Sequence, residues 1–148
     1  MSSLKAGAVL LTLWSGLNLL VAAMVTVMTL AGRNAPALSM LFSDSEIQTL
    51  DVKAIAVVNA QAMLANPCIV ALCVVVMVII WKGLMTRARW AFWALAGALV
   101  PLQLFGFASD AFLGDHNLVA NVVSTGVLLM GLSLSAFAVF RDRQALPG

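Results

Sequence analysis

Four long stretches of the chain carry no Asp, Glu, Lys, Arg or His: residues 6–32, 54–81, 90–109 and 117–140, of 27, 28, 20 and 24 residues. A helix that crosses a bilayer needs about 20 mostly apolar residues at 1.5 Å each. All four stretches meet that length, and no other part of the chain does. In lipid every backbone N–H and C=O must find a partner within the protein, so only helices or a closed barrel can span. The apolar/polar alternation of a barrel strand is absent. The pattern predicts an all-α membrane protein: a four-transmembrane-helix bundle with helices at about 6–30, 54–81, 90–109 and 117–140. Without an internal repeat or a low-complexity tract, residues 1–148 read as a single domain.

Only residues 31–53 form a connection of any size. Within it, Ser43-Asp44-Ser45-Glu46 has the form of a capping box, in which hydroxyl and carboxylate satisfy two amides that a helix start leaves without partners. Ile47, Leu50 and Ala54 continue at helical spacing. A short outer amphipathic helix is therefore expected before helix 2. Helix 1 should be broken by Gly32, Asn34 and Pro36. Pro67 and Pro101 each remove a ladder hydrogen bond and crowd the carbonyl four residues back, so kinks are expected in helices 2 and 3.

Lys and Arg set the orientation. Lys5, Lys82, Arg87, Arg89, Arg141 and Arg143 lie at the termini or between helices 2 and 3, whereas Arg33 and Lys53 flank the long connection. Both termini are thus expected in the cytoplasm. Trp81, Trp90 and Trp93 border the basic middle loop, as interfacial tryptophans do. Composition closes off other classes. Apolar residues make up 63% and charged residues 9%, and mean hydropathy is +1.06, which neither a water-soluble globule nor a disordered chain would show. A net charge of +2 supplies no basic face for nucleic acid. The apolar part of helix 1 far exceeds the roughly 7–15 residues of a signal-peptide core, so it is expected to be retained. Short loops and the absence of an Asn-x-Ser/Thr acceptor suit a bacterial inner membrane.

The polar residues can then be given a depth. Asn18, the thirteenth residue from Ala6, falls about 18 Å from the cytoplasmic edge, near the midplane. Asn66 is also near the midplane, and Asn59, Gln61, Gln103, Asn121, Ser124 and Thr125 fall in or near the outer half. The inner half is almost entirely apolar. These residues share helix faces: Asn117, Asn121 and Thr125 on helix 4, Asn59, Met63 and Asn66 on helix 2, and Ser15, Asn18 and Ala22 on helix 1. Polar side chains against lipid are costly, so the stripes should face into the bundle. Two readings follow. The amides are interhelical ties worth about 0.6 kcal/mol each on average. Alternatively they line an outward-opening cavity of the kind small ligands occupy between bundle helices. On the second reading the ligand-binding residues are Asn18, Asn59, Asn66, Gln103, Asn121 and Thr125.

Candidates for catalysis are few. Asp110, Asp115 and His116 gather in the loop between helices 3 and 4, where a His–carboxylate pair could act as a general base or ligate a metal. The plainer reading is a solvated loop in which Asp115 or Asn117 caps helix 4. One His cannot supply the two axial ligands of a membrane b-type haem, and no Lys, Asp or Glu lies within a span for a Schiff base or a proton relay. Cys68 and Cys73, about 140° apart around a helix, are expected to be buried and inert. No cofactor or metal is expected. The function that these features favour is binding of a small lipophilic or amphipathic ligand, or service as the membrane subunit of a larger assembly. The alternatives are a membrane enzyme on a lipid-like substrate using Asp110, Asp115 and His116, and a homo-oligomeric channel with the Asn121/Thr125 face on its axis.

Overall fold

The computed structural model describes residues 2–33, 35–39, 41–113 and 118–141, which are helical apart from turns and contain no strand. In chain order the helices are α1 (Ser3–Leu30), α2 (Ala35–Ser39), α3 (Asp44–Ile47), α4 (Val52–Val78), α5 (Arg89–Leu113) and α6 (Leu118–Phe140). A π turn (Ile79–Gly83) and a 3-10 turn (Leu84–Thr86) join α4 to α5. Among the described residues four helices are long and apolar enough to cross a membrane: α1, α4 with its two turns, α5 and α6.

The helix ends follow from local chemistry. Ser2 caps α1 by accepting from the Lys5 amide at 3.4 Å. At the other end, Gly32 takes a positive φ of 71°. That conformation lets the Gly32 and Arg33 amides turn back onto the carbonyls of Thr29 (3.1 Å) and Met28 (2.8 Å), closing α1 in a Schellman motif. The Glu46 carboxylate accepts from the Ser43 amide at 2.8 Å and from its hydroxyl at 2.7 Å, fixing the start of α3. Asp51 then caps α4, accepting from the Ala54 amide at 2.6 Å.

Three boundaries differ from the hydropathy pattern. A separate helical turn, α2, follows the break after Gly32. The second span continues as helix to Thr86 through the π and 3-10 turns. The third runs to Leu113, so the Asp110 backbone is helical and not part of the loop. A charge ends the stretch that lipid can bury but does not end a helix. Cys73 is buried, whereas Cys68 is exposed on the outside of the bundle, contrary to the expectation for both.

α1 is the central helix. It packs against α4 on one side and α6 on the other, and α5 packs on α6; α4 approaches α5 chiefly through the two turns. The end that carries Lys5, Lys82, Arg87, Arg89 and Arg141 is termed the basic end, and the opposite one, with α2 and α3, the loop end. At the basic end one apolar cluster draws on every span: Leu4, Leu11 and Trp14, then Val76, Ile80 and Leu84, then Leu95 and Leu99, then Leu128 and Leu132. At the loop end the second cluster, among the described residues, joins α1, α2 and α4 through Val25, Ala37, Leu38 and Val58, with Ile47 of α3 packed against it. Among the described residues the bundle is therefore tied together by apolar packing at the basic end, whereas the loop-end cluster joins α1 to α4 apart from the α5/α6 pair.

Candidate functional site

The close approach of α1 to α6 sets the geometry. A Cβ on Gly7 would collide with the Ser135 hydroxyl and meet the Gly131 carbonyl at 2.8 Å, and a Cβ on Gly131 would meet Leu11 at 2.9 Å. These glycines let the two helices touch near the basic end. Toward the loop end the α1 residues Leu10, Leu13, Trp14, Leu17, Asn18 and Val21 face Val119, Val123, Ser124 and Val127 of α6 across an open cleft of about 910 Å³. The α1 spacing marks a single helix face. The cleft is about 16 Å long from Leu10 to Val21 at the rise of a helix. Its size lies within the range of roughly 300–1,000 Å³ typical of small-molecule sites.

A line of hydrogen bonds forms the polar wall. The Trp14 indole N–H donates to Ser124 Oγ at 2.7 Å, and the Ser124 hydroxyl donates to Gln103 Oε1 at 3.2 Å. Gln103 Nε2 donates in turn to the Asn121 backbone carbonyl at 3.3 Å and to its Oδ1 at 3.4 Å. This chain crosses from α1 through α6 to α5. Gly106 makes room for it, since a Cβ there would lie 3.2 Å from Asn121 Oδ1. Trp14 is 4% exposed and Gln103 7%, so the bonds are shielded, and a dry surrounding raises the cost of breaking any one of them. Asn18 lines the cleft one turn above Trp14 and donates to the Trp14 carbonyl at 2.8 Å.

Of the residues chosen from sequence, the structure brings Gln103 and Asn121 into contact and sets Asn18 beside them through Trp14. Thr125 donates to the Asn121 carbonyl at 2.7 Å, an intrahelical bond. Asn59 and Asn66 are not part of this group. Asn66 donates to the Ala62 carbonyl at 2.9 Å and lines a smaller cavity of about 140 Å³ under α2, with Val25, Ala37, Val58 and Gln61. Asn59 Oδ1 is buried without a hydrogen-bond partner among the described residues. Two members of the polar wall, Trp14 and Ser124, were not picked out from sequence as site residues. Their signal was a Trp within a span, away from the tryptophans of the basic end and one turn before the Asn18 amide. Asp115 and His116 lie outside the described residues, and the described ones bring no three His, Cys, Asp or Glu side chains together.

No family model, curated protein or solved structure matches this chain. The arrangement itself is a hydrogen-bonded wall beside an uncharged apolar cleft: it can bind and orient a molecule, and its described lining holds no titratable group.

Proposed function

We propose that this chain is a multi-pass protein of a bacterial inner membrane that binds a small lipophilic or amphipathic molecule in the α1/α6 cleft. The observation that carries the reading is the cleft of about 910 Å³ itself, lined by Leu, Val and Ala with Trp14, Asn18 and Ser124 as its polar members. Both termini are placed in the cytoplasm. The division of Lys5, Lys82, Arg87, Arg89 and Arg141 at one end from Arg33 and Lys53 at the other supports that orientation. Along α1 the cleft then runs from about 6 Å (Leu10) to about 22 Å (Val21) from the cytoplasmic edge, across the midplane.

Native mass spectrometry of the protein released from nanodiscs tests this. The expected result is a monomer that retains a reproducible small-molecule mass, lost when Val123→Phe narrows the cleft. A discrete empty oligomer would overturn it in favour of a membrane subunit of a larger assembly, with the amides acting only as ties between helices. The broad outward face of α4, where Val57, Leu64, Val74 and Val75 are exposed, is the surface such an assembly would use.

A further inference from the structure

The cleft's hydrogen-bonding inventory restricts the head of the molecule it can take; this inference rests on the binding reading above. Three polar side chains line the cleft, Trp14, Asn18 and Ser124, and none carries a charge. The Trp14 N–H and the Ser124 O–H are both committed within the protein, to Ser124 and Gln103. Asn18 differs. One amide hydrogen goes to the Trp14 carbonyl, and no described residue donates to its side-chain oxygen. An amide has two N–H donors and an accepting oxygen, so Asn18 offers an entering molecule one donor and one acceptor side by side.

Each class of polar head meets that offer differently. A phosphate or carboxylate brings charge to mid-membrane depth with no cation in the lining to balance it, and burying an unpaired charge is far more costly than burying a neutral group. A ketone or ester carbonyl only accepts, so the Asn18 oxygen would stay without a partner. A hydroxyl both donates and accepts, which matches the two free positions of Asn18. The rest of the lining is Leu, Val and Ala over a length of about 16 Å, suited to a long apolar chain. Leu13, Leu17, Val119 and Val123 are all more than half exposed, so the cleft opens sideways to the surrounding lipid.

We propose that the cleft admits a neutral lipid alcohol, a long apolar chain ending in one hydroxyl, from within the bilayer and selects it over anionic lipids through Asn18. Trp14 supplies the reporter. The other tryptophans, Trp81, Trp90 and Trp93, are exposed at the basic end, and replacing all three by Phe leaves Trp14 as the sole fluorophore. That protein in nanodiscs is titrated with dibromostearyl alcohol, with dibromostearate at alkaline pH, and with dibrominated phosphatidylglycerol. Bromine quenches indole emission only at short range.

The expected result is saturable quenching by the alcohol, weakened about tenfold by Asn18→Leu, as loss of hydrogen bonding at one head group would give. The two anionic probes should give only shallow, unsaturated quenching. Val123→Phe should remove the saturable component without moving the thermal unfolding midpoint, which separates blockage from misfolding. Saturation by the anions as tight as by the alcohol, or an Asn18→Leu titration that matches the parent, overturns hydroxyl selection while leaving the cleft as a binding site. No saturation by any probe overturns this inference and the binding reading together.

Discussion

Whether a glycine is needed depends on what stands opposite it. Gly7 and Gly131 face backbone and a fully buried Leu11, which cannot yield, whereas Gly97 and Gly126 face open space. Gly7→Ala and Gly131→Ala are each expected to cost about 1–3 kcal/mol as overpacking. Gly97→Ala and Gly126→Ala should be neutral or gain up to about 1 kcal/mol from helix propensity. Unfolding midpoints in a graded SDS–mild-detergent series check the contrast, and equal losses at all four positions would contradict it. The hydrogen-bonded wall makes a second prediction at this scale. Ser124→Ala removes the acceptor of the Trp14 N–H and the donor to Gln103 at once, so a Trp14→Phe/Ser124→Ala double-mutant cycle should show coupling of about 0.6–1.7 kcal/mol. Sequence placed Gln103 and Asn121 on inward faces but did not pair them. Helical periodicity gives a side chain's angle on its own helix, and the partner depends on how two helices are docked. For the same reason Asn59 and Asn66, equally amide-like on paper, lie on a different side of α1.

Helix starts and stops were more legible, because they are short-range chemistry. The Ser43–Glu46 box and the stop at Gly32 both follow from the residues themselves, and both are present. The joint between α4 and α5 was not legible. A π turn has the same hydropathy as an α turn, and what sets it is docking: a Cβ on Gly83 would lie 2.6 Å from Ala91 Cβ and 3.1 Å from Trp90. The joint ends on Arg87, the one described non-glycine residue with positive φ, at 59°. Left-handed backbone costs an L-residue about 1–2 kcal/mol, and a β-branched residue tolerates it least. Arg87→Val should therefore lower thermal stability measurably, and Arg87→Gly should not. If Gly destabilises as much as Val, the side chain of Arg87 is what holds the joint and backbone strain is secondary.

At the scale of the whole molecule, the number of spans could be counted from charges, yet their neighbours could not. Lipid and protein interior are equally apolar, so a residue such as Leu95, fully buried, and one such as Leu104, 64% exposed, read alike in sequence. With no hydrophobic force between helices in lipid, contact is decided by close packing and hydrogen bonds. Close packing is concentrated unevenly here. The basic end has the Gly7–Gly131 crossing and a cluster shared by every span, while among the described residues the second cluster, at the loop end, leaves α5 and α6 out. Fewer packed contacts between two elements mean more freedom between them, so the two pairs of helices should move relative to each other at the loop end alone. Spin labels at exposed sites on α4 and α5 can measure this: Val78 with Trp93 at the basic end, Leu64 with Leu104 toward the loop end. The Val78/Trp93 pair should give a narrow distance distribution by pulsed electron resonance and the Leu64/Leu104 pair a clearly broader one. Distributions of equal width would mean that the division into pairs is as rigid as the basic end, and the cleft a fixed groove. A broad distribution that narrows on adding a lipid alcohol would link that freedom to filling of the cleft beside Asn18.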